Sequence, residues 1–405
     1  MKIGVVSNLF PPFSIGGYEQ LCGKVCNELA ALGHEIVVLT STYGGAASDT
    51  NGYVVERRLK LLANEYDIYQ PFRADPDERA SITNANRLTV SDFQRRHQPD
   101  LWFLWNLFFL DDGIVDDLSL LGQPVVLFLT DNWLIAARQP NAMGQFFARC
   151  VHGSEQFSPD AQRKGDGAVM KQRAIFGSRF MHDLYESFGF NFEYRVVVHN
   201  GVDLPTVPPE LFVPRTETRE PGRLKILFAG RVVDIKGPQL IVAALPLIRA
   251  RASQTVSLTI VGDVQDKTFA SRLNEEIAAS GCADLISFRE PVSEAVLLQV
   301  FNDHDIYVFP SLYEPFSLTL IHAIGAGIPT VATNVGGNDE IVMDGETGVL
   351  FHKNSPSELA DAVVRLAEDG RLRSRISHKG RHVARRFTFR RMIRRIENEL
   401  LRAIR

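Results

Sequence analysis

The stretch FPSLYEPFSLTLIHAIGAGIPTVATNVGGNDE, residues 309–340, decides how this chain is read. β-Branched and aromatic residues end a strand at Phe309, and Phe316-Ser317-Leu318 open an apolar helical run after a loop carrying Glu314. Gly325, Gly327 and Pro329 close that helix, and residues 330–332 begin another strand before the Gly336-Gly337 turn. Strand, helix and strand in succession form a βαβ unit, which belongs in a parallel sheet covered by helices. Ligands of such sheets bind beyond the carboxyl ends of the strands, where helix N-termini offer free N–H groups to anions. Glu314 and the backbone of residues 316–318 fall at that end. A carboxylate there can hold sugar hydroxyls, and the N–H groups a phosphate.

The same alternation extends upstream. Residues 225–229, 256–261, 285–289 and 306–309 read as strands with helical segments between them. The Pro-rich polar stretch 204–222 suits neither a helix nor a central strand and reads as a linker. Before it, 3–7, 36–40, 101–105, 125–129, 174–176 and 196–199 read as strands, with a helix over 19–32. The expected fold is therefore α/β, with two Rossmann-like, doubly wound parallel-sheet domains at 1–204 and 205–387. A length of 405 residues also favours two cores. Residues 388–404 place Phe389, Met392, Ile393, Ile396, Leu400 and Ile404 on one face, an amphipathic helix over 388–405.

Composition narrows the classes. With 45% hydrophobic and 23% charged residues the chain is neither disordered nor fibrous. Cys22, Cys26, Cys150 and Cys282 are too scattered for a disulfide framework, and Cys22 and Cys26, one helical turn apart on an apolar stripe, read as buried thiols. The opening residues are too short an apolar run for a signal peptide, and no run reaches the roughly 18 apolar residues of a spanning helix. A cytoplasmic location is expected. The net charge of −4 hides thirteen Lys or Arg against two Glu within 371–405. That basic tail reads as a solvated helix face or as a peripheral contact with the inner face of a membrane, ahead of a nucleic-acid patch.

Other loops carry candidate chemistry. Gly16-Gly17, before the first helix, lets backbone approach a phosphate or sugar, or is plain turn chemistry. Gly230-Arg231 and Lys236-Gly237 follow the strand 225–229. Their fork and point charge suit a diphosphate, unless both cations are simply solvated. Asp131 can orient an acceptor hydroxyl, accept its proton, or cap a helix. Trp105-Asn106 offers a stacking face and a hydrogen bond to a sugar, with core packing the alternative for Trp105. Asp303 and Asp305 form a DxD-like pair, but they precede the strand 306–309, away from the glycine loops. No metal is expected, because Arg231 and Lys236 can neutralise the diphosphate.

In this order, Gly16-Gly17 with Glu19, HNGVD (199–203), AGRVVDIKG (229–237), IVGD (260–263), EPFSLTLIHAIGAGIP (314–329), VGGNDEIV (335–342) and the closing basic helix resemble the retaining glycosyltransferases of family 4. The resemblance runs along nearly the whole chain. It implies the GT-B architecture, two Rossmann-like domains facing across a cleft with the C-terminal helix crossing back to the first. It implies transfer of a hexose-type sugar, with retention, from a nucleotide-diphosphate sugar to a sugar, lipid-linked or small-molecule acceptor, without cofactor or metal. Arg231 and Lys236 would bind the donor diphosphate, Glu314 the sugar, and the Phe316-Ser317-Leu318 backbone the sugar and distal phosphate. Gly16, Gly17, Asn200, Gly230 and His322 would complete the donor site, and Asn106, Asp131 and Trp133 the acceptor site. Asp131, Glu314, Arg231 and Lys236 are the catalytic candidates.

Three positions depart from the family pattern. His322 stands for the second glutamate of the family's pair, Ser317 for the glycine of EPFG, and Thr130 for the histidine of a His-Asp pair. These departures keep open a catalytically inactive, sugar-nucleotide-binding homologue. A sugar-nucleotide epimerase on the same architecture is the other alternative.

Overall fold

The computed structural model describes residues 1–45, 52–63, 75–153, 169–204, 220–264 and 266–405. Most of the expected linker, 205–219, lies outside the described residues. The chain divides into two compact units, one of Met1–Gln145, Pro159–His199 and Arg390–Arg405, the other of Phe146–Ser158 and Asn200–Phe389.

In the first unit β1 (Lys2–Val6), β2 (Glu35–Ser41), β3 (Val54–Leu59), β4 (Leu101–Leu104), β5 (Val125–Leu129), β6 (Val169–Phe176) and β7 (Asn191–Val197) form one sheet ordered β3-β2-β1-β4-β5-β6-β7. Every pairing is parallel. The intervening helices are α1 (Gly17–Ala31), α2 (Pro76–His97), α3 (Gly113–Ser119), α4 (Trp133–Arg138), α5 (Pro140–His152) and α6 (Arg179–Ser187). β4 and β5 are buried end to end, as their unbroken apolar runs require in a sheet covered on both faces. β3 is absent from the sequence reading because VVERRL is an edge strand that buries only Leu59. Its charged residues interrupt the apolar signal.

The second unit contains β8 (Arg223–Ala229), β9 (Thr255–Val261), β10 (Ile286–Arg289), β11 (Ile306–Phe309), β12 (Thr330–Thr333) and β13 (Val349–Phe351), all parallel, ordered β10-β9-β8-β11-β12-β13. Its helices are α7 (Pro238–Arg251), α8 (Lys267–Ala279), α9 (Glu294–Asn302), α10 (Leu318–Ala326), α11 (Asn338–Ile341), α12 (Pro356–Glu368) and α13 (Gly370–Ala384). Successive strand residues feed opposite faces. Ile226, Phe228, Ile260 and Val308 join one apolar cluster with α7, α8 and α12, while Leu227, Ala229, Val261 and Phe309 join another with α10.

The last helix, α14 (Phe389–Ala403), belongs to the first unit from Arg390 onward. Glu399 accepts the Tyr194 hydroxyl at 2.6 Å, and Glu397 meets His34 at 3.0 Å. Phe389, Met392, Ile393, Ile396 and Leu400 of its apolar stripe are buried, Ile404 beyond the helix end is exposed, and so are Arg390, Arg391 and Arg394. Among the described residues no helix is long and apolar enough to cross a membrane. The second half of α5 departs from the domain boundaries read in the sequence: from Phe146 it belongs to the second unit.

Candidate functional site

The strand order of the second sheet reverses between β8 and β11, so the loops following these neighbours open side by side. The β8 loop runs through a 3₁₀ turn, Asp234–Lys236, to Gly237, whose φ of +72° is left-handed. A Cβ on Gly237 would lie 2.1 Å from the Pro310 carbonyl oxygen, so only glycine lets the two loops meet. Leu312 N–H then donates to Ile235 O at 2.8 Å. This seam brings Lys236 Nζ to 2.6 Å from Glu314 Oε2, with the two side chains 19% and 8% exposed.

The Glu314 loop is fixed from several sides. Ser311 Oγ lies 3.5 Å from Glu314 Oε2, and Thr333 Oγ1 donates to Ser311 O at 2.5 Å. Gly337 N–H donates to Glu314 O at 2.9 Å. Gly336, at φ +57°, permits that approach, since a Cβ there would fall 1.9 Å from Glu314 O. Phe316 turns its ring inward onto Phe387, 5.5 Å between centroids. Ser317 caps α10, its Oγ accepting Leu320 N–H at 3.1 Å, while Leu318 is half-buried.

The remaining donor-side candidates fall as follows. Gly230 N–H extends the β8–β9 ladder to Val261 O at 3.0 Å. Arg231 is exposed, and its guanidinium has no hydrogen bond or ion pair among the described residues, while its carbonyl accepts Val233 N–H at 3.1 Å. Asn200 is buried, and its Oδ1 has no hydrogen-bond partner among the described residues. His322, on α10, pairs its Nε2 with Glu294 Oε1 of α9 at 3.0 Å, so the position where the family pattern has a glutamate here borrows a carboxylate from a neighbouring helix. Asp305 is a structural residue: its Oδ2 accepts Lys225 N–H at 2.8 Å, tying the start of β11 to β8.

The first sheet reverses between β1 and β4, and its loops there are equally joined. Asn8 N–H donates to Asn106 O at 2.6 Å. Gly16 is the N-cap of α1 and Gly17 its first residue. The buried Glu19 carboxylate accepts Gly16 N–H at 3.0 Å on Oε2 and Asn106 Nδ2 at 3.1 Å on Oε1. Asn106 Oδ1 accepts Phe108 N–H at 2.9 Å, so its amide is engaged at both ends in holding loops. Glu19 carries the capping-box signature, a carboxylate three residues beyond the N-cap, and that spacing could have marked it as an organiser of this end.

Trp105 is fully buried, edge-on to Phe128 at 4.7 Å, which settles it as core. Trp133, an acceptor-site candidate in the sequence, is 1% exposed, so its ring is withdrawn from solvent. It is the first residue of α4, and its apolar ring lies inward. Asp131 is half-buried, and its Oδ1 accepts Trp133 N–H at 2.9 Å at the start of α4. Burial, with the nearby Glu19 charge adding to it, pushes the Asp131 carboxyl up to about 7 against the opposing pull of the Trp133 N–H. A carboxyl poised there can exchange protons near neutrality. The buried Tyr18 and Tyr185 hydroxyls beside it are pushed well up, by burial first and by Asp131 second.

Two doubly wound parallel-sheet units, each with its candidate residues at the point of strand reversal, define the GT-B glycosyltransferase fold. The family model described as Glycosyl transferases group 1 matches residues 223–369, and that described as Glycosyltransferase Family 4 matches 15–205. The chain belongs to the group 1, family 4 glycosyltransferases. It is 33% identical over 226 residues to the D-inositol 3-phosphate glycosyltransferase of Paenarthrobacter aurescens strain TC1, covering 52% of this chain and 53% of that one. The chain thus spans about half the length of that relative. It is 27% identical to the glycogen synthase of Mycobacterium tuberculosis over 91% of this chain and 86% of that one. The fold matches Anabaena HepE, solved with UDP and glucose, at a TM-score of 0.69 and 19% identity, over 99% of each chain.

Proposed function

We propose that the chain moves a sugar from a nucleotide-diphosphate sugar to an acceptor hydroxyl, with retention of anomeric configuration and without a metal ion. The observation carrying this reading is the Lys236–Glu314 pair at 2.6 Å on the loops of the β8–β11 reversal, where Arg231 is exposed. Two cations and a carboxylate suit a ligand that is anionic at one end and hydroxylated at the other. Arg231 and Lys236 take the diphosphate, and Glu314, exchanged from Lys236, takes sugar hydroxyls. The relatives' names and the UDP and glucose of HepE support such a donor.

In the transfer, the bond from the anomeric carbon to the diphosphate oxygen breaks and the acceptor oxygen bonds to that carbon. The diphosphate leaves with the electron pair, and Arg231 and Lys236 stabilise its growing charge. The acceptor proton passes to Asp131 or, where Asp131 only orients the hydroxyl, to the departing diphosphate. Retention enters this reading from the resemblance of the motifs and is part of the proposal. We read the location as cytoplasmic, with the exposed arginines of α14 suited to contact with an anionic membrane face.

The test is thermal stabilisation by UDP, GDP, ADP, dTDP and CDP and their sugar conjugates without added metal. One nucleotide is expected to raise the melting temperature. Lys236→Ala should abolish that shift, and Glu314→Ala should lose only the increment due to the sugar. No shift with any of these ligands would sink the reading.

A further inference from the structure

Residues 146–153 lie, in sequence, between two strands of the first sheet, yet they are built into the second unit. Lys353, 7% exposed, directs Nζ to Cys150 O at 3.4 Å, and Asn354 Nδ2 donates to Gly153 O at 3.0 Å. Val151 packs against the apolar cluster of that unit. The end of α5 is thereby anchored by the residues that follow β13. One turn earlier, Phe146 and Phe147 meet a single ring, Tyr313, edge-on at 5.7 Å and 5.1 Å. Tyr313 is 7% exposed and immediately precedes Glu314 in the chain.

We infer that Phe146 and Phe147 are positioning residues for Glu314: by clamping Tyr313 they fix the backbone from which the carboxylate reaches Lys236. The main chain at Glu314 is pinned on its other side by the Gly337 N–H, so removing the clamp frees one of several restraints on the loop. The carboxylate then samples positions away from Lys236. Edge-to-face pairs have the directionality to set such a position, beyond the apolar area they bury. The effect on donor binding rests on the proposed function; the effect on the Lys236–Glu314 pair does not.

The deciding experiment is a double-mutant cycle on Lys236→Met and Glu314→Gln, read by urea unfolding, in the wild-type background and in Phe147→Ala. The coupling between Lys236 and Glu314 is expected to fall by at least half in Phe147→Ala and to stay low in Phe147→Leu, which refills the space without a ring edge. Unchanged coupling in Phe147→Ala overturns the inference. If Phe147→Ala does not fold, Phe147→Leu and Phe147→Tyr are compared instead. Tyr keeps the ring edge and should keep the coupling, and equal coupling in both variants and wild type overturns the clamp.

A second arm titrates wild type and Phe147→Ala with UDP and UDP-glucose, or with whichever nucleotide pair stabilises the wild type. UDP-glucose affinity should drop about tenfold with UDP affinity nearly unchanged. Equal losses for both ligands count against positioning. A wild type that binds no nucleotide refutes the donor reading, while the unfolding cycle still decides the clamp.

Discussion

Lys236 Nζ stands 2.6 Å from Glu314 Oε2 although 78 residues separate them in sequence, and both side chains are largely withdrawn from water. Breaking such a pair leaves one charge uncompensated, whereas removing both charges together is often tolerated. Lys236 retains 19% exposure, so the loss falls below that of a fully buried pair. Lys236→Met is expected to destabilise by about 1–3 kcal/mol. Adding Glu314→Gln should recover most of that loss, as measured by urea unfolding. If the double variant is as unstable as the sum of the singles, the pair is not coupled.

What the sequence disclosed of this site follows from where each signal lies. Glu314, Lys236 and the glycines sit on short loops beside strands whose apolar runs are unbroken, so their place at the sheet's carboxyl edge was legible. Their direct contact was not, because it depends on the Gly237 and Pro310 backbones meeting, a tertiary fact. The same limit applies to His322, whose partner Glu294 comes from α9, and to the clamp at Tyr313, whose rings arrive from between two strands of the other sheet. β3 was lost to its charged edge residues, and the burial of Trp133 rests on packing that its place beside a candidate carboxylate does not disclose.

Asp131 gives a pH signature with a defined sign. Its carboxyl is raised from 3.8 to about 7, so the folded state binds that proton more tightly than the unfolded chain. Its contribution to stability is complete below about pH 4 and is lost as pH rises through 7. Relative to wild type, Asp131→Asn should therefore gain stability progressively between pH 4 and 7, by at most about 4 kcal/mol. Melting temperatures across that range check it, and a constant difference would refute it. Removing the neighbouring charge with Glu19→Gln should shift the transition to lower pH, with the Tyr18 and Tyr185 hydroxyls remaining neutral throughout.

Ser317 is accounted for locally by its cap. Its Oγ satisfies Leu320 N–H at the start of α10, a service that alanine cannot provide and that glycine replaces in part through backbone freedom and hydration. Ser317→Ala should destabilise by about 1 kcal/mol and Ser317→Gly by only a few tenths. Thermal or urea unfolding of the two variants gives the order. Equal losses would show that Ser317 acts through something other than the cap.

His322 and Glu294, 3.0 Å apart, make a prediction about restoring the family residue. His322→Glu returns a carboxylate to α10 but sets it against the Glu294 carboxylate already there. Two like charges at that separation repel, and the exposed Glu294 side chain, free to turn into solvent, limits the penalty to about 1 kcal/mol or less. The strain is relieved most easily by turning the new side chain away, so His322→Glu alone should bind the stabilising nucleotide no better than wild type. His322→Glu with Glu294→Gln removes the repulsion and should bind it more tightly than either single variant. Isothermal titration of the four proteins decides the point. If His322→Glu alone binds as well as the double variant, Glu294 does not govern this position, and the pairing across α9 and α10 has no part in donor recognition.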